Sequence, residues 1–190
     1  MTRPPKTKTV PKGTLQKTKG LLMIHTGDGK GKTTAALGLA FRALGCGFRV
    51  FMVQFIKGKD WTYGELESAK RFGDQFDIRL AGEGFTWDVP DDERQRRLAR
   101  DGWEKGKEAM ESGRYQLVIF DEINCVLDYG YLPVSEVVET LKRKPEKLHV
   151  CFTGRGAPKE VIEIADLVTE MKEIKHPFQK GIVAQRGIEF

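Results

Sequence analysis

The chain carries Thr26-Gly27-Asp28-Gly29-Lys30-Gly31-Lys32-Thr33-Thr34 directly after a short apolar run, Leu21-Leu22-Met23-Ile24, and directly before a helix-like run, Ala35 to Leu44. A strand, a glycine-rich turn and a helix start, in that order, are the setting of a phosphate-binding loop. Glycines let successive backbone N–H groups turn into one concavity, and the helix adds its free N–H groups and the positive end of its dipole. Lys32 supplies a mobile point charge for phosphate oxygens, and Thr33 is the hydroxyl expected on a magnesium ion. The usual spacing would put a glycine at position 26, where Thr26 stands, with Gly27 displaced by one. A shorter or differently bent loop is therefore expected.

Leu117-Val118-Ile119-Phe120-Asp121-Glu122 is the second informative stretch. Four apolar residues ending in adjacent carboxylates match the strand that holds magnesium in nucleotide enzymes with such a loop. The acid belongs at a strand's end because the neighbouring strand is expected to deliver the phosphate loop at the same edge. Between and beyond these stretches the pattern alternates. Strands are predicted over 21–25, 49–55, 76–80, 148–152 and 167–171, and helices over 33–44, 65–72, 91–112, 123–127, 134–142 and 158–165. Apolar runs such as Val50-Phe51-Met52-Val53 suit strands covered on both faces. The predicted class is an α/β P-loop nucleotide-binding fold, with a mostly parallel sheet between two helical layers and a nucleotide at its C-terminal edge. Ile182-Val183-Ala184 in the tail is expected to join a sheet edge.

The net charge is +5, but Arg3, Lys6, Lys8, Lys12, Lys17 and Lys19 all precede the first acid, Asp28, so the remainder is close to neutral. Residues 1–19 read as a flexible basic arm with too little apolar surface to fold alone, and residues 20–190 as one domain. A basic domain face is not indicated, and nucleic-acid binding would rest on the arm alone, which lacks interleaved aromatics. No run spans a bilayer and no secretory signal is present. Cys46, Cys125 and Cys151 are odd in number and set among apolar residues, which implies buried thiols in a reducing cytoplasm. His25, His149 and His176 are too scattered for a metal cluster. On the long helix, Arg94, Arg96, Arg97 and Arg100 read as a solvated surface.

Two further loops lie just past strand ends, where open parallel sheets bind ligands. Ala81 to Asp88 places Phe85 and Trp87, two residues apart, just after Gly82 and Gly84, either as buried anchors or as rings projecting into a ligand space. Thr153-Gly154-Arg155-Gly156 holds an arginine within reach of a triphosphate, or forms a plain surface turn. These residues imply a magnesium-dependent nucleotide-binding protein and leave three classes open. It is an ordinary ATPase or kinase in which Glu122 activates water or an acceptor, a non-catalytic nucleotide-dependent module, or an enzyme that breaks another bond of the nucleotide.

The glycine loop, Val53-Gln54-Phe55-Ile56-Lys57-Gly58, Phe85-Thr86-Trp87, Phe120-Asp121-Glu122, Thr153-Gly154-Arg155-Gly156, Lys175-His176-Pro177-Phe178 and Gly187-Ile188-Glu189 together resemble the bacterial ATP:corrinoid adenosyltransferases of the P-loop type. The resemblance covers nearly everything after residue 20 and keeps the motif order. It implies transfer of the 5′-deoxyadenosyl group of ATP to the Co(I) centre of a corrinoid (cobyrinic acid a,c-diamide, cobinamide or cobalamin), with tripolyphosphate released. It also implies that Gly27, Asp28, Gly29, Lys30, Gly31, Lys32, Thr33 and Thr34 wrap the phosphate tail, in a sense reversed from ordinary P-loop enzymes. By the same resemblance Lys32 and magnesium neutralise the leaving group, and Thr33 and Glu122 hold magnesium and nucleotide. Asp121 is a ligand or stands behind one, and Arg42 and Arg155 help to hold ATP. Phe85 and Trp87 help to displace the lower axial ligand of Co(II). A reductase or flavodoxin-like electron donor and a homodimer, with the N-terminal arm closing over the corrinoid, complete what the resemblance implies.

Overall fold

The computed structural model describes residues 18–58, 63–82 and 92–189. Six strands, β1 (Leu22–Thr26), β2 (Val50–Phe55), β3 (Phe76–Ala81), β4 (Leu117–Asp121), β5 (His149–Thr153) and β6 (Leu167–Glu170), form one sheet in the order β3-β2-β4-β5-β1-β6. Every pairing is parallel. Parallel neighbours need crossovers, and these are α1 (Lys32–Gly45), α2 (Gly64–Lys70), α3 (Asp92–Glu111), the pair α4 (Ile123–Asp128) and α5 (Val134–Lys142), and α6 (Lys159–Ile164).

Alternation along each strand divides the core between two faces. Met52, Ile119 and Cys151 pack with Ala36 and Ala40 of α1 and Ala69 of α2. Val53, Phe120 and Phe152 face the other way, against Trp103 of α3, Ile123 of α4, Val137 of α5 and Val161 of α6. All of β2 and β4 is buried, and Val50–Val53 and Leu117–Phe120 read accordingly as unbroken apolar runs. Trp103 is fully buried, with its ring 5.3 Å from Phe120, whose ring in turn lies 5.2 Å from Phe152.

Two expectations are corrected. Cys46 is exposed, because it is the residue that ends α1 and lies beyond the helix's buried face, whereas Cys125 and Cys151 are buried. Residues 182–184 form no strand, and Ile182 and Val183 are exposed. β6 pairs with β1 and is the last strand of the sheet on that side. On α3 the expected solvated face is present, with Arg94, Arg96 and Arg97 exposed and the half-buried Arg100 paired with Glu136 of α5. Among the described residues no helix is long and apolar enough to cross a membrane.

The approach of α3 to the sheet depends on its small residues. A Cβ added at Gly106 would lie 2.1 Å from the Phe120 ring, while one added at Gly38 on α1 meets nothing within 4 Å. Gly106→Ala should lower stability by about 1–3 kcal/mol through overpacking, despite its better helix propensity. Gly38→Ala should raise it by roughly 0.5–1 kcal/mol. Urea denaturation of the two variants measures both signs.

Candidate nucleotide site

The glycine loop leaves β1 at Thr26 and enters α1 at Lys32. Gly27 and Gly31 adopt left-handed backbone, with φ of 91° and 109°. The chain that follows β6 lies against the outside of the loop. Met171 donates its N–H to the Thr26 carbonyl at 2.8 Å, and Gly29 donates to the Met171 carbonyl at 2.7 Å. A Cβ at Gly27 would fall 2.6 Å from that same carbonyl oxygen, so the backbone-to-backbone contact itself requires glycine there. The shifted spacing also has a structural cause. Thr26 is still a strand residue, paired in register with Glu170, and its hydroxyl accepts the Ala157 N–H at 3.3 Å.

Lys32 points back into the hollow. Its ammonium donates to the carbonyls of Gly27 at 2.7 Å and Gly29 at 2.8 Å. Burial lowers its pKa, against the opposing pull of the Glu122 carboxylate. Arg155 reaches the same loop from the turn after β5, with a long 3.4 Å contact to the Asp28 carbonyl. Lys30 on the loop's outer side is paired with Glu189.

Asp121, at the end of β4, is fully buried and is met from four directions. Its Oδ1 accepts the hydroxyls of Thr33 at 2.7 Å and Thr153 at 2.6 Å. Its Oδ2 accepts the Gln54 amide at 3.1 Å and lies 3.3 Å from the Lys57 ammonium. Glu65 of α2 completes the group, accepting from Gln54 and from Lys57 at 2.9 Å each. Burial alone would lower the Lys57 pKa, but Asp121 and Glu65 outweigh it and raise the ammonium above its ordinary value. Burial would likewise raise Glu65, yet Lys57 and Gln54 hold it below the usual carboxylate range. The expectation that β4 neighbours the strand carrying the loop is corrected, because β5 lies between β4 and β1. Thr153 of β5 therefore spans the gap from within the sheet.

Glu122 stands differently. Its backbone is left-handed, with φ of 65°, and its N–H donates to the Thr153 hydroxyl at 2.8 Å. The Cys125 thiol donates to its carboxylate at 3.1 Å. Burial, then the adjacent Asp121 charge, raises the Glu122 pKa. Burial and Glu122 push the Cys125 thiol up to about 12, which keeps it a donor.

The structure thus gathers the loop, Lys32, Thr33, Asp121, Glu122 and Arg155 at one edge. Arg42 is not brought there. It is exposed in the last turn of α1, ten residues beyond Lys32, and so about 15 Å along the axis at 1.5 Å per residue. Phe85 and Trp87 lie outside the described residues. Sequence reasoning assigned no part to Gln54, Lys57, Glu65, Thr153 or Cys125. Gln54 and Thr153 carry one signal that would have found them, a polar residue at the C-terminal end of an otherwise apolar strand.

A profile of the family described as ATP:corrinoid adenosyltransferase BtuR/CobO/CobP matches residues 18–190. The chain belongs to this family. A corrinoid adenosyltransferase of a Sinorhizobium species is 50% identical over 174 residues, covering 90% of this chain and 81% of its own length. That of Pseudomonas aeruginosa is 42% identical over 172 residues, covering 90% and 84%. That of Escherichia coli is 39% identical over 175 residues, covering 92% and 88%. The flagellar accessory protein FlaH from Methanocaldococcus jannaschii shares the fold alone, with a TM-score of 0.55 at 16% identity over 80% of this chain and 71% of that one. As an ATP:corrinoid adenosyltransferase the chain is an enzyme with two substrates, ATP and a corrinoid.

In this adenosyltransferase the raised Glu122 pKa has a stability consequence. The folded state holds its proton above the ordinary value of 4.5, so the contribution is favourable below that pH and is lost as pH rises through the folded value. Glu122→Gln should therefore gain in melting temperature over wild type as pH increases from about 4.5 upward, and then level off. Thermal melts of the ligand-free protein across pH measure this, and a gain that shrinks with pH would contradict it.

Proposed function

We propose that this adenosyltransferase wraps the triphosphate tail of ATP in the loop from Gly27 to Thr34 and attaches the 5′-deoxyadenosyl group to the Co(I) centre of the corrinoid. The Co–C5′ bond forms as the C5′–O bond breaks, and its electron pair leaves with tripolyphosphate. The nucleophile belongs to the corrinoid, so no side chain has to act as base toward it. The observation that carries this reading is the joining of Thr33 and Thr153 through one oxygen of Asp121, at the mouth of a glycine loop that already encloses Lys32.

Magnesium fits the donors present. Thr33 gives its proton to Asp121, which leaves the lone pairs of its oxygen for a cation, and Glu122 adds a carboxylate beside it. Among the described residues no group of three or more His, Cys, Asp or Glu forms a cage. This suits an ion held by one or two protein oxygens together with phosphates and waters. Asp121, saturated by its four partners, stands behind Thr33 and is not a ligand. Magnesium would neutralise charge on the leaving triphosphate. Lys32 exchanges loop carbonyls for phosphate oxygens, and Arg155 and the exposed N–H groups opening α1 add further donors. Arg42, set apart on α1, has a part only outside this cluster.

The rest of the proposal follows the family resemblance. By that resemblance Phe85 and Trp87 favour loss of the lower axial ligand of Co(II), because a state without that ligand's electron density accepts an electron more readily. A reductase or flavodoxin-like protein supplies that electron in the cytoplasm. The enzyme works as a homodimer, with the arm of residues 1–19 covering the corrinoid.

An anaerobic reaction of protein, magnesium, ATP and chemically reduced corrinoid tests the chemistry. A light-sensitive adenosylcorrinoid spectrum with tripolyphosphate as product is expected. ADP and phosphate with an unchanged corrinoid would return Glu122 to the role of a water-activating carboxylate. Lys32→Ala should lower turnover by about 10²–10³. Phe85→Ala and Trp87→Ala should impair adenosylation from Co(II) much more than from preformed Co(I), and equal losses from both starting states would overturn the redox role.

A further inference from the structure

Two non-glycine residues among those described have left-handed backbone, Glu122 and Ile56, and they follow adjacent strands, β4 and β2. For a β-branched residue such as Ile56 this conformation is sterically costly, and it persists where the surroundings demand it. Here the turn is closed by the Lys57 N–H, which donates to the Phe55 carbonyl at 2.7 Å. It is also braced from outside. A Cβ at Gly82 would fall 2.5 Å from the Ile56 carbonyl carbon, so the two backbones are in direct contact.

The effect of this turn is to send Lys57 back over the sheet end instead of onward into solvent. Its ammonium lies 2.9 Å from Glu65 and 3.3 Å from Asp121. Gln54 is fully buried between the same two carboxylates and donates to both, at 2.9 Å and 3.1 Å. Its own carbonyl oxygen is buried without a hydrogen-bond partner, so the amide is oriented entirely by the acids. Two carboxylates that share one amide group repel, and Lys57 is the cation bonded to both.

We propose that Lys57 is a positioning residue for the nucleotide site, offsetting the charge of Glu65 so that Asp121 stays turned toward Thr33. Without the ammonium, Glu65 drives Asp121 away from Gln54, and the Thr33 hydroxyl loses the acceptor that aims its lone pairs into the loop. The inference rests on the placement of magnesium and triphosphate at Thr33. It is a claim about charge balance, and that separates it from a simple packing role: removing the second carboxylate together with the ammonium should restore what removing the ammonium alone destroys.

Calorimetric titration of ATP into the full-length protein, with and without magnesium, tests it for wild type, Lys57→Met and the double variant Lys57→Met/Glu65→Gln. In magnesium, Lys57→Met should bind ATP about 10–100-fold more weakly, the usual loss when a residue supporting a metal ligand is removed. The double variant should return to within about threefold of wild type, although it has lost the same ion pair. A double variant as weak as Lys57→Met, or a Lys57→Met protein that binds like wild type, overturns the proposal. Should Lys57→Met fail to fold, the double variant alone carries the test, with near-wild-type affinity supporting charge balance and weak binding opposing it. Wild-type binding that is indifferent to magnesium overturns the reading of Thr33 and this proposal with it, whereas magnesium dependence with a weak double variant overturns only the proposal.

Discussion

A fully buried carboxylate, Asp121, is the constraint on which this end of the molecule depends. An ionised group without water is tolerated only when its lone pairs are filled by donors or cations. The donors to Asp121 come from separate parts of the chain: Thr33 from α1, Gln54 from β2, Thr153 from β5 and Lys57 from the turn after β2. Each contact is made only if the sheet has the order β2-β4-β5-β1 at this edge. The charge therefore acts as a check on topology, because a slipped or reordered strand would leave it buried and unpaired.

The same web converts fold into site geometry. Thr33 sits in the first turn of α1, one residue past the lysine that fills the loop, so fixing its hydroxyl on Asp121 also fixes the helix end whose N–H groups face the hollow. From the other side the loop is held by the backbone of Met171, with Gly27 and Gly29 too close to it to carry side chains. The glycine loop is thus clamped between the strand end that carries the acid and the segment that follows the sheet's last strand. The loop backbone is thereby held in place, while the Lys32 ammonium inside it is bound only to the carbonyls of Gly27 and Gly29.

What the sequence made legible was local. The glycine loop and the run from Leu117 to Glu122 announce themselves by composition and order, and the parallel sheet follows from strands that are apolar on both faces. Partners of Asp121 were illegible because strand order is not written in any one stretch. With β5 placed between β4 and β1, Thr153 becomes the bridge, and nothing adjacent to Thr153 in sequence says so. Lys57 was hidden for a different reason: its direction is set by an isoleucine in a conformation that propensity argues against. Cys46 shows that apolar neighbours in sequence are not apolar surroundings, because the residue capping an amphipathic helix lies beyond the face they line.

Adjacent Asp121 and Glu122 finally show how one strand end can carry two carboxylates with opposite duties. In a continuing strand their side chains would point to opposite faces of the sheet. The left-handed backbone at Glu122 ends the strand there and starts α4, so the second carboxylate stays near Lys32 and the loop. Asp121 accepts from Thr33, Thr153 and Gln54 and pairs with Lys57, so it is tied into the fold on all sides. Glu122 has the Cys125 thiol as a donor, and burial and the neighbouring Asp121 charge raise its pKa against the pull of Lys32 and Lys57. A carboxylate in that condition gains most from an arriving cation. Asymmetry between the two acids, imposed by a single backbone angle, is what leaves one carboxylate at this edge of the sheet tied into the fold and the other beside Lys32 and the loop.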